Sequence, residues 1–556
     1  MMRLFLQFEL GKVIKYFKTK TLAKVITSAL FIVVFGFVAI GIYFFFVTGF
    51  RFINIEAVDD IKLALTLFLY EAFLLVLAGI VIVSTLVSGI FNLFRGEYNN
   101  WIISSSGFTL FPKVVFLRSV TASLLPSFIM FLPAILAFNK VYEVGSISLF
   151  FILVSVLFLV LLLSAATLTV LLLMAELYYA VWKRVQAVTF SLKGLVILLI
   201  ASLGLVMAWV WKKLVAIDLV QLFKAEDVDS SLSVANIGSY FNGLPTHTFA
   251  LEIVSFQAGN VLSALGYFFT LGLISLAFVA VWWVLSPRFY PMWQKLQEGS
   301  GAGLNQNAVT GTVYSFSGSP LFVLFKKELL VSSRNFKGVL WFLFLFAIWL
   351  LQIAMSVLLD NNIRRHEADV STKFAVVQAL QFIIAIYFIS AFALRFVFPA
   401  FSVEKKTSWI LASAPISFKK IFHGKYFFYV AFFTLLGALM SYVNIQALNL
   451  SLSSASYSFA LLLSVILLIV TFALSLGAIF PNTETDDPEA ITTSMGGLFF
   501  TAASLIYGTI SGWLLYLSVM EKDVSNMLFF IVGTLLLSFV LLFKTPAIVA
   551  RNFFNR

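Results

Sequence analysis

Long apolar stretches without charged residues constrain this chain more than any other feature. Residues 149–173, for example, contain no Asp, Glu, Lys or Arg. A helix needs roughly 20 mostly apolar residues to cross the hydrocarbon core of a bilayer. Strands of a membrane β-barrel are about 10 residues long and alternate in polarity. The stretches therefore predict an all-α, polytopic membrane protein rather than a barrel.

The composition points in the same direction. The chain is 61% hydrophobic and 11% charged, whereas a soluble domain carries about 25% charged residues. It has no cysteine, which excludes disulfides and Cys-based metal sites. The three histidines lie far apart in the sequence, so we expect no metal site. The net charge of +12 indicates loops that face anionic lipid rather than a nucleic-acid partner.

Twelve segments are long and apolar enough to span a bilayer. The first is too long for a cleaved signal peptide. Lys and Arg are enriched in the N-terminal segment, the even-numbered connections and the C-terminal tail, so the positive-inside rule places both termini in the cytoplasm. We expect a multi-pass protein of a bacterial cytoplasmic membrane. The predicted spans are residues 22–50, 63–92, 115–138, 147–177, 192–211, 260–285, 338–359, 373–397, 421–443, 457–480, 494–517 and 525–544.

The two halves of the chain follow one plan, which predicts two six-helix repeats. Residues 1–290 and 319–556 would form the two transmembrane halves, and residues 291–318 a flexible cytoplasmic linker. Each half opens with mixed apolar and basic residues, typical of an interfacial helix or of a cytoplasmic extension of the next span. The longest outer segment, residues 212–259, could hold a short re-entrant helix or be a solvated loop.

The loop after the second span of each half carries a shared pattern of Glu, Trp and Ser. Trp is common at the centre of protein interfaces, so the two loops could dock a partner. Alternatively, the Trp side chains lie at the headgroup level of the membrane. The candidate docking residues are Glu97, Trp101 and Ser105 in the first loop and Glu404, Lys405, Trp409, Ser413 and Pro415 in the second.

Three stretches of the second half carry a family resemblance. They are residues 326–335, residues 398–425, and residues 477–497 with the acidic motif Asp486, Asp487 and Glu489. Together they resemble the ABC-2 type permease family of ABC exporters. The match is weaker in the first half, where Gly107 stands in the place of Pro415. Because that family usually has six spans per subunit, the chain would be a fused pair.

The resemblance implies a permease that moves an unidentified substrate between two helical halves, driven by a nucleotide-binding ATPase subunit, in two copies, on another polypeptide. A phosphate-binding loop of the G-x-x-x-x-G-K-[ST] type is absent from the sequence, and the nearest run, Gly424-Lys425, lacks the earlier glycine. We therefore expect no catalytic residue and no cofactor in this chain, with ATP and Mg²⁺ held by the partner.

Two further features have open interpretations. Glu71 lies inside the second span, where an acid indicates a substrate pathway, unless the span projects beyond the outer headgroups. The acidic motif is expected to contact the Lys-rich segment 405–425 or the ATPase rather than Ca²⁺. The alternative functions are a twelve-helix secondary transporter, which should hold several intramembrane charges, and a membrane assembly scaffold that does not transport.

Overall fold

The computed structural model describes most of the chain as helices. It describes residues 22–56, 59–95, 111–185, 241–302, 320–334, 370–404, 417–448, 452–481, 494–521 and 524–553, with a few single residues between them. The helices are α1 (Leu22–Glu56), α2 (Asp59–Arg95), α3 (Phe111–Tyr142), α4 (Ser146–Val185), α5 (Pro245–Gln257), α6 (Val261–Leu285), α7 (Phe289–Ala302), α8 (Pro320–Arg334), α9 (Val370–Phe396), α10 (Phe418–Leu448), α11 (Leu452–Ile479), α12 (Met495–Glu521) and α13 (Ser525–Phe553).

Ten of these helices are long and apolar enough to cross a bilayer, which confirms an all-helical, multi-pass integral membrane protein. They correspond to ten of the twelve predicted spans. The predicted span 192–211 and nearly all of 338–359 lie outside the described residues. Twelve spans and a two-fold repeat therefore stay predictions.

The helices form two compact units, one containing residues 35–313 and the other containing residues 314–556 together with residues 19–34. In the first unit, α5 packs against α6, α2 and α4. Pro245 starts α5, and Gly243 and Gly259 adopt positive φ angles of 87° and 72° at its two ends. Glycine adopts such angles without steric cost, which allows the turns at the two ends of this short helix. The segment 212–259 thus contains a packed helix.

In the second unit, α9 packs against α12, α11 against α13, and the short helix α8 against α10. A 3₁₀ turn, Phe398–Ala400, follows α9 and lies against α11. Large apolar side chains from α9, α10 and α11 fill the core of this unit. Residues 291–302, which the sequence assigned to the flexible linker, belong to helix α7. Met292 of this helix is buried, and packing of an apolar side chain against the rest of the unit stabilises a helix.

Candidate functional site

Four charged side chains from three segments of the second unit form a buried charge cluster, defined here as Lys327, Glu328, Glu404 and Lys425. Lys425 of α10 is 1% exposed. Its Nζ donates to Glu328 Oε1 at 2.6 Å, to Glu404 Oε1 at 2.9 Å and to the carbonyl oxygen of Ala400 at 3.2 Å. All three donor hydrogens of this ammonium group therefore have acceptors, as a buried cation requires.

The second lysine of the cluster, Lys327, brings the net charge of the cluster to zero. Lys327 of α8 contacts Glu404 directly and is about one third exposed, with 32% of its side chain accessible. The cluster thus has two positive and two negative groups. Burial raises the pKa of Glu404, but Lys425 and Lys327 lower it more, so the pKa of this carboxyl lies below its usual value. Glu404 is consequently ionised at neutral pH.

The sequence around Lys425 allows α8 to approach α10 closely. A side chain at Gly424 would place its first carbon 2.9 Å from Leu324 Cδ1 and 3.1 Å from Leu324 Cβ, both on α8. The glycine therefore provides the space, and the neighbouring lysine provides the ion pair to Glu328. Through Glu404, the same lysine also holds the chain that follows α9. The charge cluster therefore joins these three segments.

Most of the candidate docking residues lie outside the described residues, including Glu97, Trp101, Ser105, Lys405, Trp409, Ser413 and Pro415. The acidic motif Asp486, Asp487 and Glu489 also lies outside them. Glu404 is described and belongs to the charge cluster. The sequence predicts that Lys425 belongs to a lysine-rich segment and does not predict its pairing with Glu328. A charged residue within the predicted span 421–443 was the signal that could have identified it.

A second polar cluster lies in the first unit and contains Glu71. Glu71 of α2 is fully buried, and its Oε1 shares a hydrogen bond of 2.5 Å with Nδ1 of His247, the third residue of α5. No pattern in the sequence indicates that His247, 176 positions away, contacts this acid. The contact joins α5 to α2 and gives Glu71 a buried partner in the first unit. The pathway role of Glu71 stays a prediction.

Glu252, on the same short helix, is a second buried acid among the described residues of the first unit. Its Oε2 accepts a hydrogen bond of 2.7 Å from Ser155 Oγ on α4. Its Oε1 has no partner among the described residues. Burial raises the pKa of Glu252 to about 8, although the bond from Ser155 opposes the shift. The side chain is therefore mainly protonated at neutral pH.

This raised pKa predicts that alkaline conditions destabilise the first unit. An acid with a raised pKa in the folded state stabilises the fold below its ordinary pKa of 4.5, and this contribution is lost as the pH rises towards about 8. Glu252→Gln stays neutral, so we expect its Tm to exceed that of the unmodified chain increasingly between about pH 5 and about pH 8, by the equivalent of about 3–4 kcal/mol. Thermal unfolding in detergent across this pH range measures the difference.

A matched control is Glu176→Gln on α4, because the Glu176 side chain is 34% exposed and lies 3.8 Å from Arg288. This substitution should leave the pH profile of the Tm unchanged. Parallel pH profiles for Glu252→Gln and the unmodified chain would contradict the assignment of a buried, neutral Glu252.

The helices define a multi-pass integral membrane protein, and each unit contains a buried polar cluster among its described residues. A family profile described as "putative ATP-binding cassette" matches residues 20–548, nearly the whole chain, and the chain belongs to that family. No curated protein and no solved structure gives a significant match.

The family membership corrects four expectations. The resemblance to the ABC-2 type permease family is wrong, because the matching family is an ATP-binding cassette family. The same match contradicts a permease driven by a separate ATPase, the absence of an ATPase site, and the assignment of ATP and Mg²⁺ to a partner alone. The resemblance depended on three stretches of the second half, whereas the absence of an ATPase site depended on one missing glycine-rich run. That absence excludes only one way of holding phosphate groups, since other backbone and side-chain arrangements bind anions as well.

The structure shows that Gly424-Lys425 does not supply a phosphate site. Both residues lie inside α10, and the Lys425 ammonium group is used by Glu328, Glu404 and the Ala400 carbonyl. A phosphate-binding lysine follows a glycine-rich turn at the start of a helix and is free to reach the nucleotide. Lys425 therefore does not fit that role, and its function is to hold α8 and the chain after α9.

Proposed function

We propose that this chain is a membrane-embedded component of ABC-type transport whose helices change conformation in response to ATP. The observation that carries the proposal is that one family profile covers residues 20–548, which include all ten candidate spans except the last few residues. Membrane crossing and an ATP-linked activity thus belong to one sequence. A ligand shifts a conformational equilibrium only through its different affinities for the two states, and ATP would act in this way.

The charge cluster is the structural element that we assign to this conformational change. It fixes the short helix α8 to a candidate span, α10, and to the chain that leaves another span, α9. A displacement of α8 therefore reaches two spans at once. The distribution of Lys and Arg supports a cytoplasmic location for this cluster and for both termini, and the sequence pattern supports transmembrane halves at 1–290 and 319–556.

The absence of cysteine from the chain makes the proposal directly testable. Leu329 of α8 is 53% exposed, so Leu329→Cys offers one site for an environment-sensitive fluorophore. In the purified full chain in nanodiscs, we expect ATP with Mg²⁺ to change the emission of this label. The change should saturate with nucleotide concentration, because binding to a site saturates.

Leu262→Cys on α6 is the matched control, since Leu262 is 84% exposed and lies outside the charge cluster. ATP should leave its emission nearly unchanged. If ATP altered neither label at millimolar concentrations, or altered both labels equally, the proposed ATP response of α8 would be rejected.

A further inference from the structure

Each unit contains a lysine at the start of one span whose ammonium group lies over an aromatic ring near the end of another span. In the first unit, Lys113 Nζ of α3 lies 4.8 Å from the centre of the Trp283 ring of α6. In the second unit, Lys419 Nζ of α10 lies 5.7 Å from the centre of the Phe543 ring of α13. Both distances are within the roughly 6 Å range of a cation–π attraction. We call these two pairs the cation–ring sites.

The two cation–ring sites occupy corresponding positions in the predicted repeat. Helices α3 and α10 correspond to the third predicted span of each half, and α6 and α13 correspond to the sixth. Lys113 and Lys419 each lie two positions before the predicted span begins, at residues 115 and 421. The same kind of contact thus recurs between corresponding helices of both halves. Such recurrence is not expected of an incidental surface contact.

The position of each pair places its ammonium group at the level of the lipid headgroups. Trp283 and Phe543 lie within two positions of the end of their predicted spans, 260–285 and 525–544. A lysine beside a span end directs its charged group towards the membrane surface. Both rings are about half exposed, so each cation–ring site lies on the outer surface of its unit, where lipid can reach it.

An exposed apolar stripe leads along the helix to each ring. Helix positions seven apart lie on one face, and the exposed residues of these stripes have that spacing. The stripe on α6 consists of Leu262, Phe269 and Leu276 before Trp283, and the stripe on α13 of Phe529 and Leu536 before Phe543. An acyl chain can lie along such a stripe while the phosphate of the same lipid reaches the lysine. This arrangement fits a phospholipid better than a free phosphate ion.

A second cation lies at the same end of the helices in each unit. Arg288 follows α6, and its exposed side chain lies 3.8 Å from Glu176. The neighbouring ring of Phe289 contacts Phe111, the first residue of α3, at 5.6 Å between ring centres. In the second unit, Lys420 follows Lys419 and is exposed. Basic residues near the membrane surface attract anionic lipids, whereas a zwitterionic headgroup also carries a cation that they repel.

We propose that each cation–ring site binds the headgroup of one anionic phospholipid, so that the chain carries two such lipids at corresponding positions. The lysine ammonium group contacts the lipid phosphate, the aromatic ring holds the ammonium group in place, and an acyl chain lies along the apolar stripe. Under the predicted orientation of the spans, both lipids belong to the cytoplasmic leaflet. The proposal does not depend on the response to ATP.

Native mass spectrometry of the purified full chain in detergent tests the proposal, because it counts bound lipids one at a time. With phosphatidylglycerol as the probe, we expect two lipids to bind more tightly than any further ones. Lys113→Gln and Lys419→Gln should each weaken one of these two binding steps about fivefold, and the double variant should weaken both. Lys113→Arg should retain tight binding, because arginine keeps the charge and also stacks on aromatic rings.

Lys140→Gln is the matched control, because Lys140 is exposed and lies in the last turn of α3, at the opposite end from Lys113. This variant should keep both tight binding steps. Phosphatidylcholine, which has a zwitterionic headgroup, should show neither the two tight steps nor a response to the lysine variants. Inorganic phosphate at millimolar concentration should not displace phosphatidylglycerol, since it makes no contact with the apolar stripes.

Four results would overturn the proposal. One is unchanged binding of phosphatidylglycerol in the double variant. Another is a loss with Lys140→Gln as large as that with Lys113→Gln, which would indicate a general effect of charge. Equal binding of phosphatidylcholine and phosphatidylglycerol would show an unselective lipid surface. Displacement of the lipid by inorganic phosphate would show a site for a free anion.

Discussion

Lys425→Met should lower the stability of the chain by about 3–5 kcal/mol, because it removes one partner of a buried ion pair and leaves the others without compensation. Methionine retains most of the length of the lysine side chain, so the loss of packing is small. Among the described residues, Glu328 and Glu404 would then share the partly exposed Lys327. The Tm of the full chain in detergent measures the effect.

The matched control is Lys420→Met on the same helix, since Lys420 is exposed. This change should alter stability by less than about 0.5 kcal/mol. The triple variant Lys425→Met with Glu328→Gln and Glu404→Gln should recover part of the lost stability, because no unpaired charge then remains buried. Equal effects of Lys425→Met and Lys420→Met would show that the buried charge cluster does not contribute as the structure indicates.

Gly477→Ala should lower stability by about 3 kcal/mol, the upper end of the usual cost of overpacking. Gly477 lies in α11 where the turn after α9 crosses it. A methyl group at this position would clash with the carbonyl oxygen of Phe398, and it would lie 3.0 Å from the carbonyl carbon. Both atoms belong to the backbone, so no side-chain rotation relieves the clash. Unfolding in detergent again measures the loss.

The same substitution at Gly533 of α13 provides the control. A methyl group there would have no heavy atom within 4 Å. Gly533→Ala should therefore be neutral or raise stability by up to about 1 kcal/mol, since alanine favours a helix over glycine. If Gly477→Ala were also neutral, the close contact between α11 and the turn after α9 would not exist in the protein.

The sequence alone was sufficient to predict the helical architecture. Apolar runs of sufficient length, such as residues 149–173, have one stable form in lipid, because every backbone polar group must be paired within the segment. For this reason the predicted span 147–177 corresponds to α4, Ser146–Val185. The length and composition of each apolar run are local properties, so a spanning helix can be predicted without knowing which distant residues it contacts.

The polar clusters could not be predicted in the same way, because they depend on pairings between distant residues. Glu328 and Lys425 are 97 positions apart, and Glu71 and His247 are 176 positions apart. Hydropathy identified Glu71 as unusual but gave no partner for it. The sequence places Lys425 in a Lys-rich cytoplasmic segment and identifies no acidic partner for it. The packing of α8 on α10 shows that the partner is Glu328.

The short helix α5 has a consequence for how this chain occupies the bilayer. Its 13 residues extend about 20 Å at 1.5 Å per residue, less than the roughly 30 Å of hydrocarbon. Gly259 then reverses the chain into α6, a full-length candidate span. The short helix therefore adds contacts with its neighbours without adding a membrane crossing. The chain reaches α7 on the same side of the membrane as it would if α5 were absent.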